Sequence, residues 1–95
     1  MEKIYYPYPA KDNIHKYYII TKSGERVYFG QYGASDFTQH KNEDRKNRYI
    51  LRHEKNESQF WNKSGIDTAS FWSRFYLWSY PTKQEAYKHI KERFL

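Results

Sequence analysis

Apolar positions fall into two kinds of pattern along this chain. Near the N-terminus they come in short β-branched and aromatic runs, HKYYIIT at residues 15–21 and RVYFG at 26–30. Such side chains fit a pleated, half-buried surface, so both runs read as strands. KSGE between them carries a turn signal, with Gly24 supplying a positive φ, and the pair predicts a β-hairpin. Near the C-terminus Ala86, Ile90 and Phe94 recur every fourth residue. That spacing predicts a helix, started by the capping pair Thr82-x-x-Glu85. TASFWSRFYLWSY, residues 68–80, also reads as a helix, with Asp67 or Thr68 as its N-cap and Pro81 marking its end. A third helix is expected over 40–55.

The connections carry their own signals. QYGASDFTQH, residues 31–40, is a connector: Gly30 just before it and Gly33 within it permit unusual backbone angles, and Ser35, Asp36 and Thr38 can cap or turn the chain. NESQFWNKSGID, residues 56–67, is expected as a linker turning at Ser64-Gly65, with Phe60 and Trp61 anchoring it to the core. In MEKIYYPYPAKDNI, residues 1–14, prolines fix φ and bias their predecessors toward extended backbone. An extended arm is expected, its tyrosines packed on the domain or on a neighbour. A two-stranded hairpin is marginal alone, so its apolar face needs helices or another strand. The fold class is therefore α+β: an arm over 1–14, then one small domain over 15–95 with the hairpin on about three helices.

Composition changes this picture in one respect. Apolar residues make up only 38% of the 95 residues while aromatics reach 21%, so the core must be built from Tyr, Phe and Trp. Disordered chains lack such aromatics. There is no cysteine, which excludes disulfides and thiolate zinc sites and is compatible with a reducing compartment. No apolar run approaches the ~18 residues that span a bilayer, and the first residues hold no signal-peptide core. A cytosolic, nuclear or particle-enclosed protein is expected.

Charge points to partners. Lys and Arg number 17 against 11 Asp and Glu, a net +6, which favours polyanions or serves solubility alone. Within HKNEDRKNRYILRHEK, residues 40–55, the cations Lys41, Arg45, Arg48, Arg52 and Lys55 follow a 4-3-4-3 spacing. On a helix at about 100° per residue all five lie within about 80°. Glu43 and Glu54 fall on the far side, and Asp44 on the flank. Solvated helices usually alternate sign along a face. A like-charge stripe costs a few tenths of a kcal/mol per adjacent pair, which an anionic surface opposite would offset. DNA or RNA backbone, an acidic protein face, and solvent are the three readings. Arginine at the three central positions favours bidentate contact with phosphate or carboxylate.

His40 and His53, thirteen residues apart, stand too far along one helix to share an ion. Capping or core-edge roles suit both, His15 and His89 are isolated, and no metal ligand set or cofactor is expected. In FWSRFYLWSY, residues 71–80, a helix puts Phe71, Phe75 and Trp78 on one face with Trp72 and Tyr76 beside them and Arg74 at the flank. This reads as a core helix, or as a protein-contact surface, where Trp, Tyr and Arg are enriched. Tyr5, Tyr6, Tyr8, Trp72, Arg74 and Tyr76 are the contact candidates.

Catalytic signals are sparse. No Ser-His-Asp or Cys-His set and no phosphate-binding loop is present. Tyr17-Tyr18-Ile19 followed by Tyr28-Phe29-Gly30 faintly looks like the paired strands of GIY-YIG nucleases. That likeness implies a catalytic arginine, Arg45 or Arg48, and a metal-binding glutamate, Glu85. It stops at Lys16, which stands where that family has a glycine, and the interval between the strands is short.

A wider set of motifs runs from Phe29 to Thr82: F-G-x-x-G (Phe29 to Gly33), S-D-x-T-x-H-K (Ser35 to Lys41), R-K-x-R-Y-x-x-R-H (Arg45 to His53), S-G-I-x-T-A-x-F-W-S-R (Ser64 to Arg74), Leu77-Trp78 and Pro81-Thr82. It resembles small basic uncharacterised proteins encoded by large nucleocytoplasmic DNA viruses of algae and protists. The resemblance implies a viral origin and makes a virion component plausible, but transfers no catalytic residue. The expected function is a non-enzymatic minor capsid or core protein, its basic helix docking on acidic surfaces of other virion proteins. The alternative is sequence-nonspecific DNA or RNA binding, and the third possibility is the nuclease. The implied locations are the virion and, during assembly, the host cytoplasm or nucleus; neither a membrane span nor a small-molecule substrate is implied.

Overall fold

β-Branched and aromatic residues set the strands where the pattern places them. In the computed structural model, which describes residues 3–95, β1 is Tyr8–Pro9, β2 is His15–Ile20 and β3 is Arg26–Gln31. They form an antiparallel sheet in the order β1-β2-β3. The helical elements come after the sheet: α1 Phe37–His40, α2 Glu43–Glu57, α3 Ala69–Trp72 and α4 Lys83–Phe94. The class is α+β. The chain groups into two compact units, Met1–Ala34 and Ser35–Leu95.

In the first unit, Tyr17 pairs with Phe29 and Tyr18 with Tyr28 across the hairpin. Its loop is closed by Thr21, whose N–H donates to the Glu25 carbonyl and whose carbonyl accepts from the Gly24 N–H. Gly24 takes a φ of 90° there, a conformation open to glycine at no steric cost. Ile19 and Phe29 are buried on one face of the sheet. The other face carries Tyr8, Tyr18 and Tyr28 side by side, since Tyr8 pairs with Tyr18 and Tyr18 with Tyr28. The expected arm thus adds a third strand. Its Tyr5 N–H donates to the Ile20 carbonyl at 2.8 Å, extending the pairing beyond β1. Met1 and Glu2, the first residues of that arm, lie outside the described residues.

An Asx turn leads into β2. Asp12 Oδ1 accepts from the N–H groups of Ile14 and His15, and Oδ2 pairs with His15 Nδ1 at 2.8 Å. The contact with the His15 ring, followed by the backbone N–H bonds, lowers the Asp12 pKa to about 2.

In the second unit, the expected helix over 40–55 is divided. Asp36 caps α1, accepting from Thr38 N–H at 2.9 Å, while Gln39 Oε1 accepts back from Asp36 N–H at 3.0 Å. Lys41 ends that turn in the left-handed region, φ 54°. Asn42 then caps α2, its Oδ1 accepting from Arg45 N–H at 3.1 Å. After α2, 3-10 turns cover Ser58–Phe60 and Lys63–Gly65. Phe60, expected as an anchor, is exposed. Trp61 is half-buried and donates its indole N–H to Ser70 Oγ at 3.0 Å.

The helix expected over 68–80 starts as predicted, with Thr68 Oγ1 accepting from Phe71 N–H at 3.2 Å. It then widens into a π turn over Ser73–Leu77 and stops short of Tyr80. α4 begins at its expected cap, Thr82 Oγ1 accepting from Glu85 N–H. Ala86 and Ile90 are buried, and the Phe94 ring meets Phe71 and Phe75 at 4.9 and 5.1 Å. The core is aromatic: Phe71, Trp72, Phe75, Tyr76 and Tyr49 are all buried.

Gly65 is held by a close approach. A Cβ there would stand 2.0 Å from the Phe60 carbonyl oxygen, a backbone atom. Gly65→Ala should therefore force one of the two 3-10 turns open and lower stability by about 1–3 kcal/mol, as overpacking does. Urea unfolding checks this; a midpoint equal to wild type would show that the turns shift without cost.

Candidate anion-docking site

The break at Lys41 reshapes the basic stripe. Lys41 is not on α2, and its ammonium donates to the Thr38 carbonyl at 3.2 Å. The face that remains is Arg45, Arg48, Arg52 and Lys55, spaced 3-4-3 along α2. His40 caps the junction, its Nδ1 accepting from the Asn42 N–H at 2.9 Å.

Arg45, Arg48, Arg52 and Trp78 line an open depression of about 230 Å³. This is below the size of clefts that enclose small ligands, about 300–1,000 Å³, so the dish suits part of a larger molecule. Arg45 donates to Ser35 Oγ at 3.1 Å, and Arg48 Nε reaches the Asp44 carbonyl at 3.4 Å. Among the described residues no carboxylate pairs with Arg45, Arg48, Arg52 or Lys55. Glu43 is committed to Lys46 at 2.8 Å. No internal carboxylate therefore neutralises the stripe, and an anion arriving there competes only with the neutral acceptors Ser35 Oγ and the Asp44 carbonyl.

Trp78 reaches this place because of the π turn. Helical spacing puts it with Phe71 and Phe75, but one widened turn carries an extra residue and shifts the phase of the residues after it. The indole instead stacks on Tyr49 of α2, with centroids 4.5 Å apart and planes 3° apart. Tyr49 lies about 40° around the helix from Arg45, beside the stripe. Burial, followed by the Glu57 charge, raises the Tyr49 pKa above the usual phenol range, so the ring stays neutral. Trp78 itself is half-buried, has the His40 ring 5.3 Å away at a tilt of 54°, and lines the depression together with the arginines.

A second polar cluster joins α2 to α3. His53 stacks on Tyr49 at 4.3 Å and bonds through Nδ1 to Glu57 Oε2. Ser70 donates to Glu57 Oε1 at 2.7 Å and accepts from the Trp61 indole N–H. Burial alone would raise the Glu57 pKa, but the hydrogen bonds from Ser70 and His53 outweigh it and the pKa is lowered. The Ser70 proton is directed to a carboxylate and not to an imidazole, so the three residues do not form a hydroxyl–imidazole pair.

The protein-contact candidates divide. Trp72 is 0% exposed, Tyr76 8% and Tyr5 9%; these three are core residues and are not presented to a neighbour. Arg74 is half-buried, its guanidinium 5.2 Å from the Trp61 ring and 5.3 Å from Phe75, and it donates to Ser79. Burial lowers its pKa. Tyr6 is exposed and Tyr8 half-buried, with ring centroids 5.0 Å apart.

The residues implied by the nuclease likeness lie on different helices of the second unit. Arg45 and Arg48 line the depression, while Glu85 is exposed in the first turn of α4. Among the described residues no three His, Asp or Glu side chains are grouped to hold a metal. Nor is any helix among them long and apolar enough to cross a membrane.

Residues 8–53, just under half of the chain, match the model of a family of unknown function, DUF5754. The matched stretch runs from β1 through Arg45, Arg48 and Arg52 and ends before Trp78. No curated protein matches the chain. No solved structure matches it either.

Proposed function

We propose that this chain is a non-enzymatic component of a large DNA virus particle that docks on a polyanionic surface through Arg45, Arg48, Arg52 and Lys55. One observation carries the docking role: four cations on one helical face have no carboxylate partner among the described residues, and three of them ring a half-exposed tryptophan. Trp, Tyr and Arg together make up the energetic centres of protein interfaces. An acidic capsid or core protein therefore fits as the acceptor. The viral setting rests on the motif resemblance from Phe29 to Thr82.

DNA backbone is the second reading, favoured by arginine at the three central positions, whose planar fork matches phosphate. Salt dependence separates the two. If the four cations each neutralise one phosphate, log K for DNA should fall with log salt at a slope of about −3.6. A flat dependence, or no binding to DNA at low salt, removes that reading and leaves the protein acceptor. Fractionation of purified particles tests the setting: recovery with shell or nucleoid proteins is expected, and absence from the particle overturns it.

A further inference from the structure

We infer that the depression on α2 takes single-stranded nucleic acid, with the backbone on Arg45, Arg48 and Arg52 and one base packed on the exposed part of the Trp78 indole. This rests on the second reading above, a nucleic-acid backbone as the acceptor, and names its strandedness.

Arg45 and Arg52 stand seven residues apart on α2, about 10 Å along the axis, and Trp78 lies among the three arginines. Charge and ring surface therefore face the same ligand. A carboxylate-rich protein face satisfies the arginines, but its carboxylates leave the indole without a partner unless an aromatic side chain happens to stand beside them. A duplex offers phosphates and keeps its bases stacked inside, so the indole stands idle. A single strand alternates phosphates with exposed bases, so its repeating pattern engages all four residues. Base–aromatic packing is tolerant of sequence because every base has a π-face. Trp78 is also prepared for the contact: Tyr49 stacks on it with the two rings 3° from parallel and the His40 ring lies 5.3 Å away, so little side-chain freedom is lost on binding.

The test compares two labelled probes of equal length and charge, a thymidine 12-mer and an abasic 12-mer, by fluorescence anisotropy at about 50 mM salt. Wild type should bind the thymidine strand about tenfold more tightly than the abasic one. Trp78→Ala should bring the thymidine strand down to the level of the abasic strand on the same variant. Trp78→Phe, which keeps a ring, should retain most of the preference. Circular dichroism on each variant confirms that it folds, and the wild-type comparison stands without any variant. Equal affinity of wild type for the two probes overturns the inference while leaving polyanion docking in place. Absence of binding to both probes, and to duplex DNA, overturns the docking of nucleic acid at this face altogether.

Discussion

Replacing Arg45, Arg48 and Arg52 together by alanine is expected to weaken duplex DNA binding about 500-fold at 0.1 M salt and to flatten the salt slope from about −3.6 to about −0.9. Each arginine that neutralises a phosphate contributes about 0.9 to the slope, and the entropy of released counterions sets the affinity at low salt. Three removed contacts therefore change log K by about 2.7 per decade of salt below 1 M. Lys55 keeps the residual slope. The fold should hold, because the three guanidiniums have no carboxylate partner among the described residues and give up only the bonds to Ser35 Oγ and the Asp44 carbonyl. Stability should even rise slightly, since like charges three and four residues apart cost a few tenths of a kcal/mol per pair. That direction is diagnostic. A variant that loses binding and stability together has lost structure, whereas one that binds less and unfolds no earlier has lost a docking face. If the triple variant binds as wild type does, the anion site lies elsewhere and the role given to α2 is wrong.

The features legible in the sequence are those fixed by local chemistry. The hairpin arises from two β-branched and aromatic runs around Gly24, and α4 from a cap and a four-residue repeat. The basic stripe is legible as periodicity, but its start is not. Asp36 and Asn42 stand six residues apart, each able to cap a helix, and both do. The competition is settled by Lys41 turning left-handed, which no side chain in the sequence announces. The aromatic stretch departs from its expected phase for a different reason. A π turn over Ser73–Leu77 breaks the 3.6-residue period, so Trp78 leaves the Phe71 and Phe75 face and meets Tyr49. Charges dominate the pattern of α2 and hide Tyr49, the one buried residue of that helix. A lone aromatic beside a cation stripe is the signal that points to it.

Trp72→Ala is expected to cost about 3–5 kcal/mol, half or more of the roughly 5–10 kcal/mol that a chain of this size commands. Trp72 has no exposed surface. Its ring meets Phe71 edge-on at 5.7 Å and Tyr76 at 6.4 Å, and its indole N–H donates to the Ile66 carbonyl at 2.8 Å. Truncation removes the burial, leaves a cavity the rigid neighbours cannot fill, and strands a carbonyl. Trp72→Phe separates these contributions: it keeps most of the ring and loses the hydrogen bond, and should cost about 1–3 kcal/mol. Both are read from urea midpoints. The same measurement decides between the two roles open to the aromatic stretch. A residue serving a partner surface can be cut back with little effect on the isolated chain, and its loss is felt only on binding. If Trp72→Ala unfolds within a few tenths of a kcal/mol of wild type, Trp72 is not a core residue. If it unfolds far earlier while Trp78→Ala does not, then one helix divides its tryptophans by a single widened turn, Trp72 to hold the fold and Trp78 to meet the ligand.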